Sequence, residues 1–299
     1  MIAGPAAHYS SLSLCNTGRF ACAAYTRVPN IINHYENFPV ASVLLPARLR
    51  LPVELIYRFA RAADDFADEG DLSDRERLAL LASFSDELRM IERGERSRVA
   101  LFQELAPAVK QHQLPLSLFH DLLSAFAQDV TKKRYADLTE VLDYCRRSAN
   151  PVGRLLLVLY DAATPQNLRW SDSICASLQI INFLQDIAID NAKGRIYMPQ
   201  DELARFGVSE AQIAARDTNG GWRDFMTFQV NRTRRMLWDG APLGRVLKGR
   251  VGLEMRMIIA GGDRILTKIL AAGCDVFARR PVLRVYDWPL MLIRTLSIR

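Results

Sequence analysis

From residue 50 onward, apolar side chains recur almost without interruption at spacings of three and four, the period of an α-helix buried along one face. Period-two alternation bounded by hairpin turns, the mark of half-buried strands, is missing. A chain patterned this way buries its apolar faces by packing helix on helix. The sequence therefore predicts an all-α fold, with helices at about residues 50–69, 74–93, 98–112, 115–134, 138–163, 171–191, 209–217, 221–239, 250–275 and 282–297 and short connections between them. Pro52 is expected in the first turn of its helix, Ser73 and Thr139 as N-caps, and Gly70, Gly94 and Gly240 as terminators. Pro151 interrupts the helical stretch YCRRSANPVGRLLLVLY and should kink it or break a backbone hydrogen bond. Two readings of that break stand: a packing kink, or a place where Pro151 with Ser148, Ala149 and Gly153 lets a large ligand approach the backbone.

The 299 residues are 49% hydrophobic and 24% charged, a globular composition, and no linker, low-complexity insert or repeat divides them. One domain is expected, preceded by a flexible tail over residues 1–27, which lack the basic cluster and apolar core of a secretory signal. No apolar run approaches the roughly 20 residues that span a bilayer. Cys15, Cys22, Cys145, Cys175 and Cys274 lack metal-ligand spacing, and an odd number cannot all pair within one chain, so a reduced, cytoplasmic setting is expected. The net charge of +6 suits nucleic acid or anionic lipid. The cations are mixed with acids along the chain and form no nucleic-acid motif, so no nucleic-acid partner is expected. The densest basic stretch, ARRPVLRVYDWPLMLIRTLSIR, combines Arg279, Arg280, Arg284, Arg294 and Arg299 with Trp288 and aliphatic residues. It reads either as an amphipathic element lying on a membrane surface or as an ordinary last helix of the bundle.

Chemistry is written in two acidic motifs. Asp64 and Asp68 in ARAADDFADEG, and Asp186 and Asp190 in NFLQDIAIDNAKGR, are each four residues apart. On a helix that spacing sets two carboxylates on one face, about 6 Å apart along the axis. Like charges this close call for a cation, and carboxylate oxygens suit Mg²⁺, which commonly joins them to phosphates of a substrate. Tyr57 and Arg61 share the first stripe and Asn182 the second, while Lys193, Arg195 and Tyr197 follow the second. Arg61 is open to two readings, a surface ion pair or a phosphate ligand. The second helix is apolar enough to be buried, so its acids require a metal or a basic partner.

YRFARAADDFADE at 57–69, YCRRSANPVG at 144–153 and NFLQDIAIDNAKGRIYMP at 182–199, in this order, resemble the squalene/phytoene synthase family over about residues 30–290. The resemblance implies a single-domain helical isoprenoid synthase over 28–299 with a central cavity. It implies metal binding by Asp64, Asp68, Asn182, Asp186 and Asp190, with three Mg²⁺ ions around a bound diphosphate. Asp65 points about 100° away on the same helix and takes a secondary role. Tyr57, Arg61, Tyr144, Arg195 and Tyr197 would surround the diphosphate and the reactive centre.

Two segments depart from the family pattern. The phosphate segment, usually His-Ser-x-Ser-Phe, is His34-Tyr35-Glu36-Asn37-Phe38, and the usual Val-Ala-Gly is Ser148-Ala149-Asn150-Pro151. HYENFPVAS and SANPVG look like the hydroxysqualene synthase subgroup of bacterial hopanoid pathways, which takes presqualene diphosphate from a sister synthase. That resemblance implies ionisation of the diphosphate in an apolar cavity and capture of the rearranged cation by water, with Asn150, Tyr144 and Ser148 as candidates to place the water. His34 would contact phosphate, and NADPH is not expected. The rivals are a presqualene diphosphate, squalene or phytoene synthase joining two prenyl diphosphates, and a non-catalytic assembly factor. Elsewhere, GGDR at 261–264 reads as close packing, and His8, His112 and His120 as surface or satisfied groups. Asp129 and Lys132, in AFAQDVTKKRYADL, are open to two readings, the rim of the metal site or a solvated helix face, and the solvated face is the expectation.

Overall fold

The computed structural model describes residues 45–297. The expected tail and His34 lie outside that range. The described residues form thirteen helices: α1 (Ala47–Asp68), α2 (Asp74–Glu92), α3 (Ala100–His112), α4 (Leu116–Thr131), α5 (Leu138–Ser148), α6 (Asn150–Leu159), α7 (Pro165–Ala192), α8 (Gln200–Arg205), α9 (Glu210–Ala214), α10 (Trp222–Asp239), α11 (Leu243–Val246), α12 (Gly249–Ala271) and α13 (Asp287–Ser297). Among the described residues there is no strand, and a lone bridge between Arg134 and Ile196 is the sole β-type pairing. The all-α expectation holds.

Burial divides into two apolar clusters. One gathers α1 to α4 around Phe59, Phe84, Phe102 and Phe119; Phe59 meets Phe102 and Phe119 edge to face, as Phe84 meets Phe102 at 4.9 Å and 90°. The favourable quadrupole geometry adds to the burial of their large area. The other surrounds α7, which packs against α5, α6, α10 and α12 and buries Ile174, Ile180, Ile181, Phe183, Leu184 and Ile187. α6 joins the two, with Leu155 and Leu159 in the first cluster and Leu157 in the second.

Several predicted limits move for local reasons. The helix expected over 138–163 is two helices, divided at Ala149 (φ −118°), and Pro151 lies in the first turn of α6, where its missing N–H is not needed. Gly153 leaves no room for a ligand, because a Cβ there would stand 2.4 Å from Ser171 Oγ and 2.5 Å from Cys175 Sγ of α7. Thr139 is not a cap; Asp137 accepts from the Glu140 N–H instead. Pro52 lies beyond the first turn, since α1 already begins at Ala47. α7 starts at Pro165 behind the Thr164 cap, earlier than the apolar pattern implied. α13 starts at Asp287, later than expected, because the Asp287 carboxylate accepts from the Arg284 N–H. α8 and α11 are too short to show a period. Ser73 and Glu76 form the reciprocal cap of α2. The tight contact read at GGDR is present: a Cβ on Gly262 would approach Leu178 and Leu237 to 3.1 Å.

Candidate active site

The C-terminal half of α1 and the C-terminal half of α7 put their carboxylates into one open cleft of about 480 Å³. Asp64 and Asp68 line one wall, and Asn182, Asp186 and Asp190 the other, with Asp129, Tyr144, Gln179, Phe183, Arg195 and Tyr197 completing it. Phe183 is the one apolar residue in this lining, so the cleft suits a charged head group rather than a hydrocarbon.

Backbone geometry after α7 delivers two of these groups. Gly194 (φ +74°) turns the chain back at the helix end, a left-handed conformation that other residues adopt only with strain. The following segment is then pinned by Ile196 N–H to Lys133 O at 3.0 Å and Gln200 N–H to Tyr135 O at 2.9 Å. Arg195 and Tyr197 are thereby fixed facing the cleft.

Each acidic pair has a basic escort. Asp68 receives Lys193 Nζ at 3.0 Å and Arg195 Nη1 at 2.5 Å. Burial works against ionisation of Asp68, but these two cations outweigh it and hold its carboxyl below the usual range. Asp186 is paired bidentately by Arg280, with Nη2 to Oδ2 at 3.0 Å. Arg61 meets Asp64 at 3.1 Å and Asp65 at 2.7 Å, consistent with a secondary place for Asp65. Asp64 is pushed up to about 7 by its enclosure and by Asp68, and Asp190 to about 7 by burial and by Asp186. The two raised groups are the ones most in want of a counter-ion.

The floor is a tyrosine pair on a buried acid. Tyr144 Oη donates to Asp129 Oδ2, and Tyr197 Oη donates to Asp129 Oδ1 at 2.9 Å. Asp129 is 4% exposed, and burial raises it to about 6 against the pull of the two hydroxyls. Phe183 stacks on Tyr197 at 4.0 Å with an interplanar angle of 4°. The expectation that Asp129 faces solvent is therefore wrong. The sequence did carry a signal, since Leu122, Phe126, Asp129 and Val130 continue the buried stripe of α4. Arg280 had no such signal, because its partner is 94 residues away.

Four predicted residues fall outside the lining. Asn150 is buried at the α5–α6 break, its Oδ1 accepting no hydrogen bond, and does not line the cleft. Ser148 does not line it either. Tyr57 and Arg61 lie further back along α1.

The donor chemistry fits Mg²⁺ and a polyanion. Five oxygen-bearing side chains, Asp64, Asp68, Asn182, Asp186 and Asp190, face one another across the cleft. The buried Nε groups of Arg61 and Arg195 donate to nothing. Among the described residues no three acidic, His or Cys side chains converge as a ready-made cage. Mg²⁺ commonly completes its shell with phosphate oxygens of a ligand, and the open cleft leaves room for one.

A bundle of helices carrying two i, i+4 carboxylate pairs on opposite walls of a cation-rimmed cleft defines the class: an all-helical isoprenoid synthase. A family model described as squalene/phytoene synthase matches residues 31–287, and the chain belongs to that family, whose enzymes process prenyl diphosphates. It is 38% identical over 233 residues to a hydroxysqualene synthase of Rhodopseudomonas palustris, covering 77% of this chain and 78% of that one. A hydroxysqualene synthase of Zymomonas mobilis is 33% identical, over 85% of this chain and 84% of that one. Among solved structures, squalene synthase HpnC from Alicyclobacillus acidocaldarius superposes with a TM-score of 0.75 at 34% identity, covering 81% of this chain and 90% of that one.

Proposed function

We propose that the protein converts presqualene diphosphate and water to hydroxysqualene and diphosphate. The convergence of both aspartate pairs on one cation-rimmed cleft carries this reading at the level of chemistry. Likeness to hydroxysqualene synthases, together with HYENFPVAS and SANPVG, selects the reaction within the family. Mg²⁺ bound by Asp64, Asp68, Asn182, Asp186 and Asp190, as three ions on the diphosphate, would offset the charge that develops on the leaving group.

The chain's own groups do the rest. Arg195, Lys193 and Arg280 stand at the carboxylates and are placed to turn toward the diphosphate oxygens, with Arg61 behind them and His34 as a further phosphate contact. When the carbon–oxygen bond breaks, the electron pair leaves with diphosphate and a cyclopropylcarbinyl cation remains. The stacked Phe183–Tyr197 pair lines the cleft beside it. Because Tyr144 donates its proton to Asp129, its oxygen is free to accept from a water, whose lone pair is then directed at the rearranged cation. The protonated alcohol so formed passes its extra proton to the departed diphosphate, which completes the alcohol. Asn150, buried at the start of α6, would act only through the helix break. No NADPH is consumed. The enzyme works in the cytoplasm at the inner face of a membrane, beside the sister synthase that supplies presqualene diphosphate.

Purified protein with Mg²⁺ should consume presqualene diphosphate and release hydroxysqualene, identified by mass spectrometry. Turnover of farnesyl diphosphate alone, with none of presqualene diphosphate, would sink the reading. That outcome belongs to the second reading, a presqualene or squalene synthase, which the name of the HpnC relative favours. A non-catalytic role is opposed by the intact aspartate pairs.

A further inference from the structure

The last helix of the described chain is built inside out. In α13, Asp287, Met291 and Thr295 recur every four residues and are buried against the bundle. Asp287 is fully enclosed, with Arg264 Nε of α12 at 2.7 Å and the Lys268 ammonium on its other oxygen. The charged side of this helix is its inner side. At 100° per residue, Trp288, Leu292, Pro289, Ile293 and Leu290 then sweep the outer arc, and all five are exposed. No charged residue falls on that arc. Val285, at 86% exposed, and Tyr286 extend the surface ahead of the helix, and Ile293 is 66% exposed. A helix packed on a water-surrounded bundle shows the opposite arrangement, and contiguous apolar surface of this kind marks an interaction site.

Charge and position indicate the occupant. Arg279 and Arg284 are exposed beside the patch and form no salt bridge among the described residues. From residue 279 to the end, five arginines accompany a single acid, Asp287, which is already paired inside. A second copy of the same surface would bring like charges together. An anionic lipid surface complements both the apolar arc and its basic margin. The segment is also tied to the cleft, because Arg280 holds Asp186 and Gln185 Nε2 donates to Pro281 O at 2.5 Å. Five residues reach at most about 18 Å, so Val285 stands within that distance of Arg280 at the cleft.

We infer that α13 with Val285 and Tyr286 is a docking surface for a bilayer containing anionic phospholipid. The helix lies in the interface, with Trp288 and Tyr286 at head-group depth, and no described helix is long and apolar enough to cross. This deepens the peripheral location proposed above. An oily substrate would then pass between lipid and cleft without crossing open water, a consequence that rests on the proposed reaction.

The test does not depend on that reaction. Full-length protein is sedimented with vesicles of phosphatidylcholine alone or with about one third phosphatidylglycerol. Wild type should pellet with the anionic vesicles, and the tryptophan emission should shift to the blue, a shift lost in Trp288→Phe. Leu292→Glu with Ile293→Glu should weaken the partition about tenfold or more, while melting temperature and turnover of detergent-dispersed substrate are unchanged. Arg279→Gln with Arg284→Gln should remove the preference for anionic lipid. Wild type remaining in the supernatant with both vesicles overturns the proposal. So does pelleting of the double-Glu variant like wild type with an unshifted emission, or a dimer that the double-Glu variant dissociates in a protein that ignores vesicles.

Discussion

Asp129 holds two tyrosine hydroxyls at once, so its substitution separates positioning from binding. In Asp129→Asn one oxygen remains to accept, and the amide faces the other hydroxyl donor to donor. We expect turnover to fall about 10- to 100-fold with little change in KM, because the water-placing oxygen of Tyr144 is displaced rather than the phosphate contacts. Stability should fall by about 1–3 kcal/mol from the buried mismatch, measurable by urea titration. An unchanged rate would remove the tyrosine pair from the chemistry. Asp64 and Asp190 give a pH signature. Both are raised from the ordinary carboxylate value to about 7, so between about pH 4 and 7 the folded protein holds protons that the unfolded chain releases. Without metal, melting temperature should therefore rise as pH drops from about 8 to 6, and Asp64→Asn should flatten that slope. Asp68 acts the other way: its lowered value contributes stability above the unfolded pKa, lost only in stronger acid. A metal-free protein that melts lower at pH 6 than at pH 8 contradicts the assignment. The four aspartates were legible because i, i+4 spacing is local. Asp129 was misjudged because its neighbours Lys132 and Lys133 suggested solvent, although its register followed the buried stripe.

The break between α5 and α6 shows what an element gains from being interrupted. Tyr144 and Cys145 must point inward from α5, while Gly153 must let α6 lie directly on α7, and Ala149, whose φ of −118° departs from the helical value, lets the two helices take different directions. The sequence showed that the stretch would break; it could not show that Gly153 serves Ser171 and Cys175 rather than a ligand, since those contacts lie on another helix. A methyl at Gly153 would press on both side chains at about van der Waals overlap, with rotation of Ser171 as the easiest relief. We expect Gly153→Ala to cost about 1–3 kcal/mol, typical of overpacking. Because α7 carries Asn182, Asp186 and Asp190, the same variant should also weaken Mg²⁺ dependence, read as a higher metal concentration for half-maximal rate. Gly153→Ala with Ser171→Ala should recover most of the stability. Failure of that rescue would place the strain elsewhere.

At the scale of the molecule, the cleft lies on the seam between the two apolar clusters. Asp64, Asp68 and Asp129 come from the α1–α4 side, and Tyr144, Asn182, Asp186 and Asp190 from the α5 and α7 side. Lys193 and Arg195 already cross it to Asp68. The all-α class was readable from periodicity alone, but the seam was not, since no local pattern says which helices share a core. Its consequence is a cooperative response to ligand. Mg²⁺ alone must compete with Arg280, Lys193 and Arg195 for the carboxylates. Diphosphate alone brings its charge against those same carboxylates. On the proposed reading, the two together would let the cations turn to phosphate and the metals take the acids, so that binding of each would favour the other. At about a hundredfold over the dissociation constant, a ligand that binds only the folded state contributes ~2.7 kcal/mol. For a chain of this size that is a rise of about 4 °C in melting temperature. Thermal unfolding followed with Mg²⁺, with diphosphate and with both should show a joint shift larger than the two single shifts added. Arg280→Gln should enlarge the shift with Mg²⁺ alone, because Asp186 is then unescorted. Additive shifts in wild type would mean that the two walls do not share one ligand, and the clamp would have to be abandoned.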